Sequence, residues 1–244
     1  MIYGIWALLC MAGLTVFHAV RVALAALAGV PDRVGGIYDR APRAWARQLI
    51  RWTRLPVETR GLERLDPAQP YVYAANHASF LDTWLLVAFL PGSVRFIVKR
   101  ELLRVPFFGP GLRLTGQIAL ERGDKESAAQ AYEAGFRRLA EGRSLIVFVE
   151  GTRSRTGRLG EFKKGAFVLA IGAGVPLVPV YLSRTHRALP SGSLWLRRRP
   201  VGLIVGEPIP TAGLVPEDRE RLQERCRAWM LAQEAAVDAL PAAG

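Results

Sequence analysis

Short apolar runs alternate with helical patterns after Pro56, and this alternation limits the possible folds more than any other feature. Six runs bounded by Pro, Gly or Asn predict strands. They cover residues 71–75, 94–98, 118–120, 145–149, 177–182 and 201–205. Helical patterns cover residues 83–89, 125–140, 164–173 and 217–240. Such alternation predicts a single α/β domain over residues 56–244, whose mostly parallel or mixed sheet is buried between flanking helices.

The first 30 residues carry one charged side chain, Arg21, and residues 2–20 approach the length that spans a bilayer. A signal peptide is an alternative, because Ala26-Leu27-Ala28 resembles a cleavage site, but no Lys or Arg precedes the apolar run. A buried core helix is a second alternative. We favour an apolar helix over residues 1–30 that contacts a membrane.

A second helix is predicted over residues 37–54, and its arginines form one stripe. They fall within about 80° of one another at 100° per residue: Arg40, Arg43, Arg47, Arg51 and Arg54. The opposite side carries Tyr38, Ala41, Trp45, Leu49 and Trp52. This pattern indicates a helix lying in a headgroup layer. A helix packed on the core is the alternative, but it favours mixed charges, and Asp39 is the only acid here. Residues 1–55 are therefore predicted to be a two-helix membrane-associating segment.

Net charge points to anionic partners. The chain has 33 Lys and Arg against 21 Asp and Glu, and residues 151–200 hold ten basic side chains and one acidic one. Nucleic acid, acidic lipid surfaces, phosphorylated substrates and acidic carrier proteins all fit such a balance. Two cysteines exclude a disulfide scaffold, and three distant histidines argue against a metal site. We expect no metal.

One histidine lies where α/β proteins place their sites. His77 follows a predicted strand and precedes a predicted helix, at the carboxyl end of the strand. Asp82 meets its imidazole only if the chain turns between them. In that geometry the carboxylate fixes the tautomer and the other ring nitrogen removes a proton. A structural histidine is the alternative for this pair taken alone.

A second group of residues follows the strand over 145–149. This segment combines a strand end and a glycine turn with hydroxyl and guanidinium groups, and a helix starts soon after it. Such a combination favours anion binding. The residues are Glu150, Gly151, Thr152 and Arg153, with Lys163 just before a helix and Arg122 beyond another strand. Solvation explains any single arginine, but the basic excess of this region indicates a phosphate site.

Four ordered blocks resemble the glycerophospholipid acyltransferases, specifically the bacterial 1-acyl-glycerol-3-phosphate acyltransferases. The blocks are Asn76-His77-x-Ser79-x-x-Asp82, Gly116-x-Ile118-x-x-x-Arg122, Glu150-Gly151-Thr152-Arg153-Ser154 and Val175-Pro176-Leu177-Val178-Pro179-Val180. The resemblance covers residues 56–207. One departure is Val149, where the family usually has Pro.

The resemblance implies a role for each matching position. His77 is similar to the family's general base and Asp82 to its charge partner. Arg122, Glu150, Gly151 and Arg153 correspond to acceptor- and phosphate-binding positions, which Lys163 joins. Pro179 is expected on the acyl-donor side.

These roles imply transfer of an acyl group from a thioester to the sn-2 hydroxyl of 1-acyl-glycerol-3-phosphate, giving phosphatidic acid. Acyl-CoA or acyl carrier protein is then the co-substrate, and no cofactor is needed. We expect the inner membrane as the location, with the catalytic domain facing the cytoplasm, an anionic membrane surface and a lipid acceptor as partners, and no nucleic acid.

Rival functions remain open. A hydrolase with Ser79 as nucleophile lacks the G-x-S-x-G elbow. A nucleic-acid-binding protein has only the run Arg197-Arg198-Arg199 near Trp195 to support it. A non-catalytic membrane-surface module explains the basic charge but not the strands that end in His, Asp, Glu and Arg. Closer rivals are acyltransferases that act on glycerol-3-phosphate or on other lyso-lipids such as lyso-ornithine lipid.

Overall fold

The computed structural model describes residues 2–239 and contains a seven-stranded sheet in the order β1-β7-β6-β2-β5-β3-β4. All neighbouring strands run parallel except β6 and β7. The strands are β1 (Val57–Arg60), β2 (Val72–Ala75), β3 (Val94–Lys99), β4 (Ile118–Leu120), β5 (Ser144–Phe148), β6 (Leu177–Ser183) and β7 (Val201–Val205). The predicted mixed α/β fold and its six strands are confirmed. Sequence reasoning missed β1, a polar edge strand without an apolar run.

Eight α-helices lie within the described residues. They are α1 (Ile2–Leu27), α2 (Ile37–Trp52), α3 (Leu81–Phe89), α4 (Phe108–Leu114), α5 (Lys125–Ala140), α6 (Gly165–Ala173), α7 (Thr185–Ala188) and α8 (Arg219–Asp238). The predicted end of the last helix at Leu240 lies outside the described residues. Sequence reasoning missed α4, which contains Pro and two Gly, and the single turn α7.

The two faces of the sheet are covered by different sets of helices. Tyr73 and Ala75 of β2 point into a core shared with α1, α2 and α3. Val72 and Ala74 point to the opposite side, into a core shared with α5, α6 and α8. The alternation of side chains along each strand thus separates two apolar layers.

Helix α1 packs one side against the domain and exposes the other. Ala7, Cys10 and Leu14 are buried, whereas Leu9 is 64% exposed and Leu24 is 60% exposed. By length and composition alone, α1 is the one described helix that could cross a membrane, and 28% of its most apolar window is buried. The exposed side is a continuous apolar stripe that lies along the domain.

Helix α2 corrects part of the prediction for the arginine stripe. Its apolar side does not face outward, because Trp45 and Leu49 are buried against α1 and α3. Arg43 donates to the carbonyl oxygens of Leu90 (2.8 Å) and Gly92 (2.6 Å), just past the end of α3, and Arg47 to that of Ala88 within it (2.9 Å). These guanidinium groups satisfy carbonyls at the carboxyl end of α3, which has no following turn to pair with them. Arg43 is half-buried, whereas Arg40, Arg47 and Arg51 are exposed, as is Arg54 two residues past the end of α2.

Asp39 joins α2 to the sheet. Its carboxylate accepts hydrogen bonds from Arg95 of β3 (2.6 Å) and from Ser93 (2.8 Å), and all three side chains are buried. Arg143, also buried, lies 3.0 Å from Asp32 in the preceding loop. The acid that lacks a local partner in its own helix is therefore paired across the fold.

That residues 1–55 form a membrane-associating unit separate from residues 56–244 stays a prediction.

Candidate active site

The imidazole of His77 and the carboxylate of Asp82 meet at the carboxyl end of β2. His77 follows β2 in a short loop, Asp82 lies in the first turn of α3, and Nδ1 of His77 is 2.8 Å from Oδ2 of Asp82. The chain therefore turns between the two residues as their pairing requires. No hydrogen bond within residues 2–239 uses Nε2 of His77, whose side chain is 16% exposed.

Asp82 is held by more than the imidazole. Its Oδ2 also accepts the backbone N–H groups of Ala78 (2.7 Å) and Ser79 (2.8 Å), and its side chain is fully buried. The carboxylate also lies at the positive end of α3. These contacts fix the face that the carboxylate presents to His77.

Phe148 at the end of β5 forms a wall of the site. Its ring stacks on the imidazole of His77, with centroids 3.7 Å apart and planes inclined by 12°. Sequence reasoning missed this contact. Locally, the sequence shows only that Phe148 ends a strand. The contact with His77 arises because β5 lies next to β2 in the sheet, and the sequence does not give the order of the strands.

Two buried side chains fix the loop between β2 and α3, residues 76–80, which carries His77 and which we call the histidine loop. The amide of Asn76 bonds both backbone groups of Leu182 in β6, at 3.0 and 2.7 Å. Ser79 donates its hydroxyl hydrogen to the carbonyl oxygen of Leu189 (2.7 Å) and is fully buried. A hydroxyl in this position serves the fold, so the geometry opposes the nucleophile interpretation of Ser79.

Glu150 connects the histidine loop to the loop between β5 and α6, residues 149–164, which we call the basic loop. One carboxylate oxygen accepts the N–H of His77 (3.0 Å), and the other accepts the N–H of Gly160 (3.1 Å). Burial raises the pKa of this carboxyl, and the two amide donors lower it to a smaller extent. The sequence prediction placed Glu150 at the acceptor, but both of its oxygens are bonded to backbone groups.

Val149 uses the backbone N–H that the family's usual proline lacks. This N–H donates to the carbonyl oxygen of Ala75 (2.9 Å), and the side chain is buried. The replacement therefore adds one more hydrogen bond between β5 and β2, directly before Glu150.

Gly151 forms the turn that starts the basic loop, with a φ of 67°. Its N–H donates to the carbonyl oxygen of Phe148 (3.0 Å), so this amide is not free to bind a developing oxyanion. The next two amides, of Thr152 and Arg153, make no hydrogen bond within residues 2–239. That Gly151 belongs to the acceptor site stays a prediction.

The predicted basic residues lie at the same edge of the sheet and at different distances from His77. Arg153 is adjacent to Ser154, whose N–H donates to the carbonyl oxygen of His77 (2.7 Å). Lys163 runs beside Gly151, and its ammonium group pairs with Glu161 (3.0 Å). Arg122 is exposed after β4, about 14 Å away across three strand spacings.

Helix α8 supports the far side of the basic loop. Arg158 forms an ion pair with Asp238, and the N–H of Leu159 donates to Glu234 (3.0 Å). The loop is therefore fixed at its start by Glu150 and at its middle by α8.

Pro179 lies in the interior of the fold, on the face of the sheet that α8 covers. It is buried in β6, where its ring packs close to Gly206, next to Trp229 of α8. Strand alternation directs it to the α8 side of the sheet, and it lines neither of the two apolar cavities near α3. Its assignment to the acyl-donor side stays a prediction.

These two apolar cavities flank the aromatic side chains around α3. The first cavity, of about 110 Å³, lies between α1, α2, β3 and α4, and its walls include Val22, Trp45, Val87, Phe96 and Phe108. The second cavity, of about 270 Å³, lies between α1, α3 and the segment 189–196. Its walls include Leu8, Met11, Phe80, Trp84, Leu194 and Arg153.

Residues 2–239 hold no group of three or more His, Cys, Asp and Glu side chains arranged for a metal ion. That the chain needs no metal or other cofactor stays a prediction.

Comparison with known proteins places this geometry in a family. A family model described as Acyltransferase matches residues 56–183. The 1-acyl-sn-glycerol-3-phosphate acyltransferase of Pseudomonas aeruginosa is 33% identical over 197 residues, which cover 76% of this chain and 73% of that protein. The chloroplastic 1-acyl-sn-glycerol-3-phosphate acyltransferase BAT2 of Brassica napus is 39% identical over 182 residues, which cover 71% of this chain and 53% of that protein.

A solved structure shares the fold. The crystal structure of the 1-acyl-sn-glycerophosphate (LPA) acyltransferase PlsC from Thermotoga maritima matches with a TM-score of 0.83 at 24% identity, covering 98% of this chain and 96% of that one. Among the curated relatives, the chain spans about half the length of several, from 43% to 62%. The family model matches about half of the chain, and the Pseudomonas relative matches 76% of it at 33% identity, so the chain belongs to the acyltransferase family.

Proposed function

We propose that the chain transfers a fatty acyl group from a thioester to the sn-2 hydroxyl of 1-acyl-glycerol-3-phosphate, giving phosphatidic acid. The observation that carries this proposal is the contact of 2.8 Å between His77 and Asp82, beside a basic loop at the carboxyl edge of the sheet. The names of the relatives support the same reaction.

In this proposal His77 acts as the general base. Asp82 holds Nδ1, so Nε2 is the nitrogen that takes the proton of the acceptor hydroxyl. The hydroxyl oxygen attacks the thioester carbonyl, the bond from carbon to sulfur breaks, and the imidazolium returns its proton to the leaving thiolate. Asp82 stabilises the imidazolium between the two transfers. A positioned base contributes on the order of 10²–10⁴ in rate.

The phosphate of the acceptor is assigned to the basic loop. Arg153 is the closest candidate because its neighbour Ser154 is bonded to the His77 backbone. Lys163 and Arg122 extend the positive edge, and Thr152 adds a free amide and a hydroxyl. The uncommitted amides of Thr152 and Arg153 are also candidates for binding the oxyanion.

A covalent acyl-enzyme is not part of this mechanism. The hydroxyl of Ser79 is buried and donates to Leu189. Cys10 is buried in α1, and burial raises the pKa of the Cys226 thiol to about 12. A thiol with such a pKa is a poor nucleophile at neutral pH. Direct attack of the acceptor hydroxyl on the donor fits the available groups.

The donor is proposed to be acyl-CoA or acyl carrier protein, both anionic. Ten basic side chains and one acidic one in residues 151–200 complement either partner. We further propose that the chain acts at the inner membrane with its catalytic domain toward the cytoplasm. The exposed apolar side of α1 and the exposed arginines of α2 support membrane contact.

A panel of acceptors tests the proposed function. Purified full-length protein is given 1-acyl-glycerol-3-phosphate, glycerol-3-phosphate and lyso-ornithine lipid, each with acyl-CoA and with acyl carrier protein. We expect 1-acyl-glycerol-3-phosphate to give the largest kcat/KM. A larger value with another acceptor would replace the proposed substrate, and transfer to none of them would refute the proposed function.

A further inference from the structure

We propose that the second cavity binds the acceptor's own fatty acyl chain, so that the lipid is positioned by its chain as well as by its phosphate. This inference rests on the proposed function. The cavity adjoins the histidine loop directly, because its wall residue Leu189 accepts the hydroxyl hydrogen bond of Ser79 (2.7 Å). Phe80, another wall residue, follows His77 by three positions.

The composition of the cavity fits one end of a single-chain lipid. Leu8 and Met11 of α1, Trp84 of α3 and Leu196 provide apolar walls, and the volume is about 270 Å³. Arg153 is the one charged side chain among the residues that line it. The second cavity, called the slot below, is thus apolar with one guanidinium group, and such a lining matches an alkyl chain attached to a phosphate.

The position of the cavity favours the acceptor over the donor. Leu194 is 63% exposed and Trp195 is 50% exposed, and the Trp195 ring lies directly over Gly4 in the first turn of α1. The slot is therefore bounded by α1, whose outer side is apolar, and by a segment with exposed apolar side chains. A lipid reaches this side from a membrane, whereas the donor carrier arrives from water.

The first experiment fills the slot. Leu8→Trp adds bulk at a half-buried wall position, and Leu231→Trp on α8 makes the same change at a position that lines neither cavity. A series of 1-acyl-glycerol-3-phosphates of increasing chain length is assayed with one donor in one detergent. Each acceptor then partitions into the detergent micelles to the same extent for both proteins, so this effect cancels in the ratio of the wild-type kcat/KM to that of the variant.

For Leu8→Trp we expect this ratio of kcat/KM to rise with acceptor length, by up to about fourfold for each methylene excluded. For Leu231→Trp it should stay constant, and neither change should alter the dependence on donor chain length. A ratio independent of acceptor length, or one that follows the donor chain instead, would overturn the proposal. Leu8→Ala enlarges the slot and should shift the preferred acceptor to longer chains, which keeps the test decisive if Leu8→Trp does not fold.

A second readout needs no turnover. Trp84 is 1% exposed and lines the slot, so a lysophosphatidic acid with a brominated acyl chain should quench its fluorescence. Trp84→Phe should remove that share of the quenching, and Leu8→Trp should weaken binding of the probe. Identical quenching of wild type and Trp84→Phe would contradict the proposal. Quenching at Trp84 without transfer to any acceptor would support the slot while refuting the proposed function.

Discussion

The carboxylate of Glu150 accepts the backbone N–H of His77 at 3.0 Å, and this bond joins the histidine loop to the basic loop. Because the second oxygen holds Gly160, one side chain sets the relative position of the proposed base and the proposed phosphate site. Displacement of either loop would therefore disturb both functions together.

Glu150 should give the unfolding free energy a pH dependence. Burial raises its pKa in the folded chain above the ordinary value of 4.5, so the folded state binds more protons than the unfolded state between the two pKa values. Stability should therefore fall as the pH rises through that window. Denaturant unfolding at a series of pH values should show that Glu150→Gln lacks this component. Glu161→Gln, at a side chain that is 82% exposed, should keep the wild-type slope, and equal slopes for all three proteins would contradict the assignment.

Arg153 should act on acceptor binding. Arg153→Lys removes a planar donor, and we expect the acceptor's KM to rise roughly tenfold to hundredfold while the donor's KM changes little. Arg122→Lys should act in the same direction with a smaller effect, because Arg122 follows the outermost strand β4, three strands away from β2 and His77. Steady-state kinetics with both substrates varied check this. Arg221→Lys on α8 is the control, and equal damage to both substrates would place these arginines on the donor or in the fold.

The arginine stripe of α2 should divide into two functions. Reversal of exposed Arg40, Arg51 and Arg54 to Glu should weaken binding to anionic vesicles, since each basic residue near such a surface contributes about 1 kcal/mol. Activity on vesicle-presented acceptor should fall, and activity on a short, water-soluble acceptor should be largely spared. Arg43→Ala should instead destabilise the fold, because its guanidinium holds carbonyls beyond α3. Equal loss of the triple variant on both acceptors would show that the exposed arginines also belong to the fold.

Asp39 should be essential for stability. Asp39→Ala leaves the buried guanidinium of Arg95 without its nearest carboxylate, which typically costs about 3–5 kcal/mol. Denaturant unfolding measures the loss. Glu58→Ala, which breaks an exposed pair with Arg60, should cost at most about 1 kcal/mol. If both variants lose the same small amount, Asp32 must be compensating for the missing carboxylate.

Much of the fold and the central pair could be predicted because their signals are local. Apolar runs bounded by Pro and Gly become buried strands, and a His and an Asp on either side of a helix start meet when the chain turns there. The edge strand β1 has no such signal, since Glu58, Thr59 and Arg60 are polar and exposed.

The errors arose where the partner lies far along the chain. Arg43 and Arg47 have the spacing of a surface stripe, yet they bond carbonyls more than 40 residues away. A motif gives no direction to a side chain, so the bonds of Glu150 to the N–H groups of His77 and Gly160 could not be predicted. For Pro179, alternation along β6 gives the α8 side of the sheet, and its assignment to the donor side stays a prediction.

His77 is the residue on which the proposed chemistry depends, and its replacement tests the account most directly. The measurement is the rate of phosphatidic acid formation by purified His77→Ala in parallel with Asp82→Ala, with folding verified by circular dichroism. We expect His77→Ala to lose on the order of 10²–10⁴ in kcat, and Asp82→Ala to lose activity as well, since it removes the partner of Nδ1. Turnover by folded His77→Ala close to that of wild type would contradict the mechanism.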